Sequence, residues 1–363
     1  MPSFPKTLSK VIAETVDPSS PLNERIERRS NRVGRLTGFS IAATGAYLPE
    51  HIVRNEDLDE LGCDSDWIVK RSGIHERRRA SPDQACSDLA YEAAIQCLQR
   101  ASVKASELDM IIVATITPDH LAPSTSCIVQ GRLGCTASAM DVNAACSGFM
   151  YALTTAAHFI RGGCAKKILV IGSDIMTRTV NPHDPKTYPL FGDGAGAVLV
   201  VADNAEGPEA KGFLGYTLGA DGSGQDLIKI PAGGSREPFS EECLSNERNF
   251  FRMDGRSVFK WAVRMIVESS HEVLLHAGLT PQDLDLLVLH QANARIIQAA
   301  AADFEIPIER LFVNVDRLGN TSSATMPLVL NEAFVAGRIH SRDLLLLCGF
   351  GAGLTWGTAV MRW

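Results

Sequence analysis

The sequence lacks a long apolar run and an excess of basic charge, and each absence excludes a class of protein. No apolar stretch approaches the roughly 18–20 residues that a transmembrane helix needs. The net charge of the 363 residues is −7, so the chain has no overall positive field for nucleic acid. We therefore expect neither a membrane protein nor a nucleic-acid partner. Any anionic ligand must be bound by a local basic patch.

The cysteines lack the spacing of a disulfide framework or a metal site. There are nine of them, an odd number, with no CxxC pair and no His/Cys ligand cluster. A disulfide framework is also unusual in a chain of this length and apolar content. We expect mostly buried thiols, no metal, and a cytoplasmic, reducing environment.

The composition is typical of a globular protein, with 45% hydrophobic and 21% charged residues. Residues 1–35 differ from the rest, because they are polar and rich in proline and arginine. They have no apolar segment for a secretory signal, and their acidic residues argue against a transit peptide. We interpret them as a poorly ordered N-terminal extension.

An internal duplication organises the remainder of the chain. Residues 107–114 and 283–290 are similar: each is a polar turn that leads into a short apolar run, and each follows an alanine-rich helical stretch. Further along each copy, a second helical stretch leads into another apolar strand. Because strands and helices alternate, we predict two α/β halves, residues 36–205 and 206–363, with mixed, largely parallel sheets in helical layers.

Three polar residues stand at positions suited to chemistry. Cys146 follows an apolar strand and begins a helix, whose amino end favours a thiolate, although a free cysteine is often only a small buried residue. His290 ends a predicted strand, where a buried structural histidine is the alternative. Asn320 lies in a stretch that could be only a turn and a helix cap. The duplication places Cys146 and Asn320 at matching points of the halves, so we predict that all three converge on one Cys/His/Asn site.

Two glycine clusters accompany these residues. Residues 191–196 have the form G-x-G-x-G and precede a strand, whereas a dinucleotide-binding fingerprint follows one. Residues 349–353 follow a strand and could supply an oxyanion donor. Close packing between the halves is the alternative for both clusters.

Four motifs together resemble β-ketoacyl-acyl-carrier-protein synthase III. They are Asp-Val-Asn-Ala-Ala-Cys146-Ser-Gly-Phe, His290-Gln-Ala-Asn-Ala-Arg-Ile-Ile, Gly-Asn320-Thr-Ser and Gly-Ala-Gly-Leu-Thr-Trp356-Gly. The resemblance extends from about residue 37 to the C-terminus. It implies a thiolase-like fold of two duplicated α/β halves and a homodimer.

The resemblance also implies a two-step condensation. Cys146 would attack an acyl-CoA and release CoA; malonyl-acyl carrier protein would then lose CO₂ and its carbanion would attack the acyl-cysteine. His290 and Asn320 would donate hydrogen bonds to the malonyl thioester oxygen. The backbone N–H groups of Cys146 and Ala352 would hold the oxyanion. No cofactor or metal is implied.

Further residues are implied at the substrate sites. Those that would bind CoA are Trp67, Arg71, Arg256, Phe259, Ala292 and Asn293. Arg256, Lys260 and Arg264 recur every four residues on one predicted helix face and, with Arg295, are candidates for docking an acidic carrier protein. A merely solvated basic face is the alternative.

Two positions depart from the family pattern. Pro185 and then Lys186 stand where many relatives have an arginine that meets a CoA phosphate, which puts CoA affinity or geometry in doubt. Ala122 stands where some relatives carry a phenylalanine that crosses the dimer and caps the acyl pocket. We therefore expect Ala122 to act as an acyl-pocket gate that admits acyl groups longer or bulkier than acetyl.

Alternative functions remain at this stage. A specialised relative would prime a polyketide, join two acyl chains head to head, or transfer an acyl group to a hydroxyl or amine. A cysteine hydrolase would use His290 as a base and water as the acceptor. A non-catalytic scaffold is disfavoured, because no structural role requires Cys146, His290 and Asn320 together.

Overall fold

The computed structural model describes residues 32–205 and 207–363. Most of the predicted N-terminal extension, residues 1–31, lies outside the described residues. The first strand begins at Gly34, and it pairs with a strand of the second half of the chain. No helix in the described part of the chain is both long and apolar enough to cross a bilayer.

The chain forms fourteen strands and nine α-helices within the described residues. The strands are β1 (Gly34–Thr37), β2 (Phe39–Tyr47), β3 (His51–Arg54), β4 (Glu76–Arg79), β5 (Met110–Ala114), β6 (Ser138–Val142), β7 (Lys167–Ile175), β8 (Asp193–Ala202), β9 (Gly212–Ala220), β10 (Ile228–Lys229), β11 (Arg252–Met253), β12 (Leu286–Leu289), β13 (Leu344–Gly351) and β14 (Thr355–Arg362). The helices are α1 (Ser65–Ser72), α2 (Cys86–Ala101), α3 (Thr125–Leu133), α4 (Gly148–Arg161), α5 (Glu241–Ser245), α6 (Gly255–Ala277), α7 (Ala294–Asp303), α8 (Val315–Leu318) and α9 (Thr325–Val335).

Two five-stranded sheets form the framework. The first has the order β2-β8-β7-β5-β6, and the second has the order β1-β9-β14-β13-β12. The predicted division between residues 205 and 206 falls in the connection between β8 and β9. As a domain boundary it stays a prediction, and β1, from the N-terminal side, belongs to the second sheet.

The two α/β halves and their mixed sheets are confirmed, but the expectation that parallel pairs predominate is wrong. Only β5–β6, β5–β7 and β12–β13 are parallel pairs. The last two strands of each half pair antiparallel, as β7–β8 and β13–β14. Parallel neighbours need a long crossover connection, usually a helix. No α-helix separates these strands, so each chain segment returns directly alongside the previous one.

The sheets and helices form five layers. Helices α4 and α9 lie between the two sheets, α2 covers the outer face of the first sheet, and α6 and α7 cover the outer face of the second. Strand β5 follows the period-two rule, since Ile112 faces the central helices and Ile111 faces α2. Both faces of each sheet are covered, which explains the continuous apolar runs in the sequence.

The duplication is present, but the correspondence differs from the predicted one. Ala145 and Ser322 both have a left-handed backbone, with φ of +47° and +53°. Each stands at the same distance before its central helix, which begins at Gly148 or at Thr325. Cys146 therefore corresponds to Ser323, and Asn320 corresponds to Asn143. The prediction that Cys146 and Asn320 occupy equivalent points was wrong, because the turn residues and not the polar residues set the register.

Candidate active site

Cys146 lies in a tight 3-10 turn, Ala145–Ser147, directly before the central helix α4. The left-handed Ala145 turns the chain sharply between β6 and α4. This places the Cys146 side chain at the amino end of α4, where unpaired N–H groups and the helix dipole favour negative charge.

The loop after β13 packs against this turn. Ser147 Oγ lies 2.9 Å from Thr355 Oγ1, and Thr355 Oγ1 lies 3.0 Å from the carbonyl oxygen of Ala144. A Cβ atom built on Gly351 would lie 2.6 Å from the backbone nitrogen of Cys146. The second glycine cluster thus brings the backbone beside Ala352 close to the turn that contains Cys146. Only glycine fits at position 351, because a Cβ atom there would collide with this turn.

A Gly351→Ala substitution tests this contact. We expect the rate of the reaction at Cys146 to fall at least about tenfold and the free energy of unfolding to fall by about 1–3 kcal/mol, because the added methyl group displaces the turn backbone. Gly234→Ala is the matched control, since a Cβ there meets no atom within 4 Å. Wild-type kinetics in Gly351→Ala would contradict the contact.

Burial raises the pKa of the Cys146 thiol to about 12, while its hydrogen bond to Ser322 lowers it. The Cys146 Sγ lies 3.6 Å from Ser322 Oγ. The free thiol is therefore protonated near neutral pH, and it would have to lose its proton to act as a nucleophile. The amino end of α4 and the nearby backbone N–H groups stabilise the charge that then develops.

His290 directly follows β12 and is 1% exposed. Its backbone N–H donates to the carbonyl of Cys348 at 2.8 Å, which fixes it beside β13. The imidazole meets the Phe350 ring edge to face at 4.9 Å, and Nδ1 lies 2.6 Å from Thr325 Oγ1. Burial lowers the pKa of His290 to about 3. The imidazole is therefore neutral and carries one proton for donation.

Asn320 has its carboxamide orientation fixed by a backbone donor. Its Oδ1 accepts from the N–H of Ser322 at 2.9 Å, and an N–H can only donate. The Nδ2 amine of Asn320 is thus turned away from that contact. The main chain of Asn320 is held as well, since its N–H donates to Leu190 at 2.8 Å and its carbonyl accepts from Gly192 at 3.1 Å.

Ser322 connects all three groups, although the sequence analysis did not single it out. Its Oγ contacts Cys146, its N–H binds Asn320, and its carbonyl lies 3.0 Å from the Thr325 hydroxyl, which contacts His290. The turn from Asn320 to Thr325 therefore brings the predicted Cys/His/Asn set together. A signal is present in its row of hydroxyl residues, but these residues are also typical of a turn and a helix cap.

A buried carboxylate anchors this turn to the first half of the protein. Asp174, at the end of β7, accepts from the N–H and Oγ of Ser323 at 2.9 and 2.7 Å. It also accepts from Thr115 Oγ1, Ile116 N–H and both donors of Thr117. Both oxygens of the Asp174 side chain thus accept hydrogen bonds, from donors in both halves of the protein. A polar group that is buried needs such partners.

A buried arginine supports the segment that holds Asn320. Arg77 is fully buried, and its guanidinium donates to the carbonyls of Val53 and Pro189 and to Asn55 Oδ1. Burial lowers the pKa of Arg77 to about 10. The Pro189 contact fixes the chain next to Leu190, the acceptor for the Asn320 N–H.

Four of the six residues predicted to bind CoA, Trp67, Arg71, Phe259 and Asn293, are linked by contacts, partly through Arg295, into one surface at helices α1, α6 and α7. The Arg71 guanidinium lies over the Trp67 ring at 4.5 Å. Asn293 caps α7 by accepting from the N–H of Arg295, and its Nδ2 donates to the carbonyl of Arg71 at 3.0 Å. Ala292 directly precedes Asn293, and the Arg295 guanidinium lies 5.6 Å from the Phe259 ring centroid.

The residues predicted to dock a carrier protein share the outer face of this surface. Arg256, Lys260 and Arg295 are exposed, whereas Arg264 is half-buried and pairs with Glu268 at 3.7 Å. Arg264 therefore contributes less free positive charge than the helical spacing implied. Lys186 is also exposed, and the loop that contains it is fixed by Asp184, which accepts the Lys186 N–H at 2.9 Å.

The remaining predicted positions lie elsewhere. A Cβ on Gly192 would lie 2.2 Å from the Leu318 carbonyl, and one on Gly196 would lie 2.7 Å from the Leu328 nitrogen. The first glycine cluster therefore serves close packing between the halves. Ala122 lies in an exposed loop beside Leu121. Within residues 32–205 and 207–363, no group of three His, Cys, Asp or Glu side chains could hold a metal ion.

Comparison with known proteins supports the resemblance. The family model described as 3-oxoacyl-[acyl-carrier-protein] synthase III matches residues 140–222, and the model for its C-terminal part matches residues 274–363. The beta-ketoacyl-[acyl-carrier-protein] synthase III of Rhodopirellula baltica is 54% identical over 345 residues, which cover 91% of this chain and 100% of the relative. That of Caldanaerobacter subterraneus subsp. tengcongensis is 46% identical and covers 89% and 97%.

Solved structures show the same relationship. The crystal structure of 3-oxoacyl-[acyl-carrier-protein] synthase III from Aquifex aeolicus VF5 has a TM-score of 0.82 and 40% sequence identity, and the match covers 90% of this chain and 100% of that one. The layered pair of duplicated α/β halves is thus the thiolase-like fold that the resemblance implied. On the strength of these identities over nearly the whole chain, the protein belongs to the β-ketoacyl-[acyl-carrier-protein] synthase III family.

Proposed function

We propose that this protein is a 3-oxoacyl-[acyl-carrier-protein] synthase III, which condenses an acyl-CoA primer with malonyl-acyl carrier protein and so initiates fatty-acid synthesis. The observation that supports this best is the turn from Asn320 to Thr325, which contacts Cys146 and also orients the side chains of Asn320 and His290. One nucleophile and two polar groups for a developing oxyanion are the parts that a decarboxylative condensation requires.

In the first step, Cys146 attacks the thioester carbonyl of acyl-CoA. The backbone N–H groups of Cys146 and Ala352 hold the oxyanion of the tetrahedral intermediate. The carbon–sulfur bond to CoA then breaks, and the thiol proton lost by Cys146 ends on the sulfur of CoA. The product is an acyl-cysteine.

In the second step, malonyl-acyl carrier protein loses CO₂. The electron pair of the broken carbon–carbon bond forms an enolate, and the Nδ2 amine of Asn320 and Nε2 of His290 donate to its oxygen. The enolate carbon attacks the acyl-cysteine, and collapse of the intermediate releases the Cys146 thiolate, which takes up a proton. Only side chains, backbone groups and the two thioester substrates take part, so we propose no cofactor and no metal.

The reaction mixture of full-length protein, acyl-CoA and malonyl-acyl carrier protein tests this function. We expect 3-oxoacyl carrier, free CoA and CO₂ in equal amounts. Free fatty acid without a condensed carrier would instead support a cysteine hydrolase. Transfer of the unextended acyl group to an added hydroxyl or amine acceptor would support a specialised relative.

We propose that six residues at helices α1, α6 and α7, Trp67, Arg71, Arg256, Phe259, Ala292 and Asn293, bind CoA. Trp67 stacks on the adenine through the face of its ring that Arg71 does not cover. A Trp67→Ala substitution should raise KM for acyl-CoA about tenfold, with kcat changed less than about twofold, because base–aromatic stacking contributes about 1–3 kcal/mol. Trp67→Phe, which keeps an aromatic face, should recover most of the affinity. An unchanged KM in Trp67→Ala would place the adenine elsewhere.

We propose a homodimer in the cytoplasm, in which β6 pairs with its copy. Strand β6 is an edge of the first sheet, and Leu121 nearby is 95% exposed. Edge strands and exposed apolar side chains are both suited to pairing. Asp141 of β6 accepts from the N–H groups of Thr125 and Ser126, which ties the Ala122 loop to this edge. Sedimentation of the full chain at the mass of one copy would refute the dimer.

The Ala122 loop leads to a prediction on acyl selectivity. We propose that Ala122 reaches the partner's acyl pocket and leaves it wide, so the wild type uses acyl-CoAs longer than acetyl efficiently. Ala122→Phe should lower the rate with such primers at least about tenfold relative to acetyl-CoA, because a large side chain fills the pocket. Wild-type rates that are flat or fall from acetyl-CoA upward would contradict the proposal.

We propose that an acidic carrier protein docks on the exposed basic side chains of α6 and α7, with Arg256, Lys260 and Arg295 as the main contacts and Arg264 as a weaker one. Exposed charge of one sign attracts a partner of the other, and this attraction weakens with salt. Lys260→Glu should raise KM for malonyl-acyl carrier protein and leave KM for acyl-CoA unchanged. The opposite pattern would assign this face to CoA.

A further inference from the structure

We propose that Thr325 is a positioning residue: its hydroxyl donates to Nδ1 of His290 and thereby keeps the imidazole proton on Nε2, the nitrogen that must donate during condensation. The proposal rests on the proposed function for its kinetic consequence, and on the geometry alone for the position of the proton. Thr325 is the first residue of α9, and the sequence analysis assigned it no role.

The contact between the two side chains fits a hydroxyl donor better than an imidazole donor. Thr325 Oγ1 lies 2.6 Å from His290 Nδ1. Hydrogen bonds with an N–H donor and an oxygen acceptor span about 2.7–3.2 Å, whereas hydroxyl donors reach about 2.5–3.0 Å. The short separation therefore favours a bond in which Thr325 donates and Nδ1 accepts.

Two acceptors compete for the single proton of the Thr325 hydroxyl. The carbonyl of Ser322 lies 3.0 Å from Thr325 Oγ1, and one of its two lone pairs already accepts the backbone N–H of Thr325. Nδ1 of His290 is the nearer acceptor, at 2.6 Å, and its lone pair has no other donor among the described residues. Among the residues that the structure describes, Thr325 is the only hydrogen-bond partner of the His290 side chain, whose other close neighbour is the Phe350 ring. A buried acceptor left without a donor costs about 1–3 kcal/mol.

The position of the proton decides what His290 can do. A neutral imidazole has one N–H and one lone pair. With the proton on Nε2, the imidazole donates to the enolate oxygen together with the Nδ2 amine of Asn320. With the proton on Nδ1, the Nε2 lone pair would face that oxygen and repel it. His290 is too deeply buried to ionise readily, so it cannot donate from both nitrogens at once.

The two half-reactions separate the role of Thr325 from general damage to the site. Thr325→Val keeps the shape of the side chain and removes the hydroxyl. We expect the rate of condensation from preformed acyl-enzyme to fall about 10- to 100-fold, while the rate of acyl-enzyme formation changes less than about threefold. Thr325→Ser, which retains the donor, should restore condensation to within about threefold of the wild type.

Thr154→Val is the matched control. Thr154 is buried in the other central helix, α4, and its Oγ1 has no hydrogen-bond partner within residues 32–205 and 207–363. We expect both half-reactions to match the wild type in this variant. Equal losses in both half-reactions of Thr325→Val, or unchanged condensation, would overturn the proposal.

The ¹⁵N NMR spectrum of the imidazole provides a readout that does not depend on activity. The His290 signals are identified by their loss in His290→Gln. In wild-type protein near neutral pH we expect an unprotonated Nδ1 and a protonated Nε2, and in Thr325→Val a mixture of the two tautomers. A wild-type signal from protonated Nδ1 would refute the proposal, even if Thr325→Val does not fold. Absence of 3-oxoacyl product in the wild type would refute the proposed function and leave this spectroscopic test decisive for Thr325.

Discussion

Cys146→Ala should form no acyl-enzyme with acyl-CoA and should lose condensation activity by about 10⁴-fold or more, because removal of a covalent nucleophile leaves no route through the thioester intermediate. The fold should survive, since in the part of the chain that the structure describes the side chain makes a single hydrogen bond, to Ser322 at 3.6 Å. Intact-protein mass after incubation with acyl-CoA measures the adduct, and single-turnover product formation measures the rate.

A second cysteine provides the control for this result. Cys164 is an exposed free thiol beyond the end of α4. We expect Cys164→Ala to form the adduct at the wild-type rate. An acyl mass on Cys146→Ala that vanishes only when another cysteine is removed would assign the nucleophile to that other residue.

Asn320→Asp should have the largest expected effect on condensation after the loss of the nucleophile, and unlike that loss it should separate the two half-reactions. The aspartate keeps the acceptor for the Ser322 N–H, but it replaces the Nδ2 donor with a carboxylate oxygen. Loss of one oxyanion donor lowers the rate about 10²- to 10³-fold, and the negative charge repels the enolate further. We expect condensation to fall about 10³-fold, and acyl-enzyme formation to fall at most about tenfold.

The duplicated half provides a control at an equivalent backbone position. Asn143 stands where Asn320 stands, relative to its left-handed turn residue and central helix, and its side chain is exposed. Asn143→Asp should change either half-reaction less than about threefold. Comparable losses in both half-reactions of Asn320→Asp would show that Asn320 serves the site only as a structural residue.

The sequence allowed the site residues to be predicted because they end strands or begin helices. His290 follows an apolar run and Cys146 opens a helix, and these positions follow from local pattern together with the order of motifs. The division into two halves was predictable for the same reason, since each half repeats the same succession of helices and apolar strands.

The directions of the strands were not predictable in this way. Strands β8 and β14 are buried along most of their length, as are β7 and β13, which each also form a parallel pair, so the burial pattern carries no sign of antiparallel pairing. The pairing depends on how the chain returns after β7 and β13. The correspondence of Cys146 with Ser323 also depends on the left-handed backbone of Ala145 and Ser322. Alanine and serine usually avoid positive φ, so their identities give no sign of these turns.

The supporting contacts of the site depend entirely on tertiary packing. Ser322 reaches Cys146 across 176 positions of sequence, and Asp174 reaches Ser323 across 149. In sequence, Ser322 and Thr325 match the preference of hydroxyl residues for helix starts, and that local preference conceals their contacts with Cys146 and His290. Arg77 likewise belongs to a run of arginines typical of a solvated surface, yet it is fully buried.

The most direct test of the central assignment is the mass of the intact protein through one catalytic cycle. The full chain is incubated with one acyl-CoA, freed of excess, and then mixed with malonyl-acyl carrier protein. We predict one acyl mass per chain, located at Cys146 by peptide mapping, which disappears as an equal amount of 3-oxoacyl carrier forms. An adduct at another residue, or an acyl-cysteine that decays to free acid without a condensed carrier, would contradict the condensing mechanism.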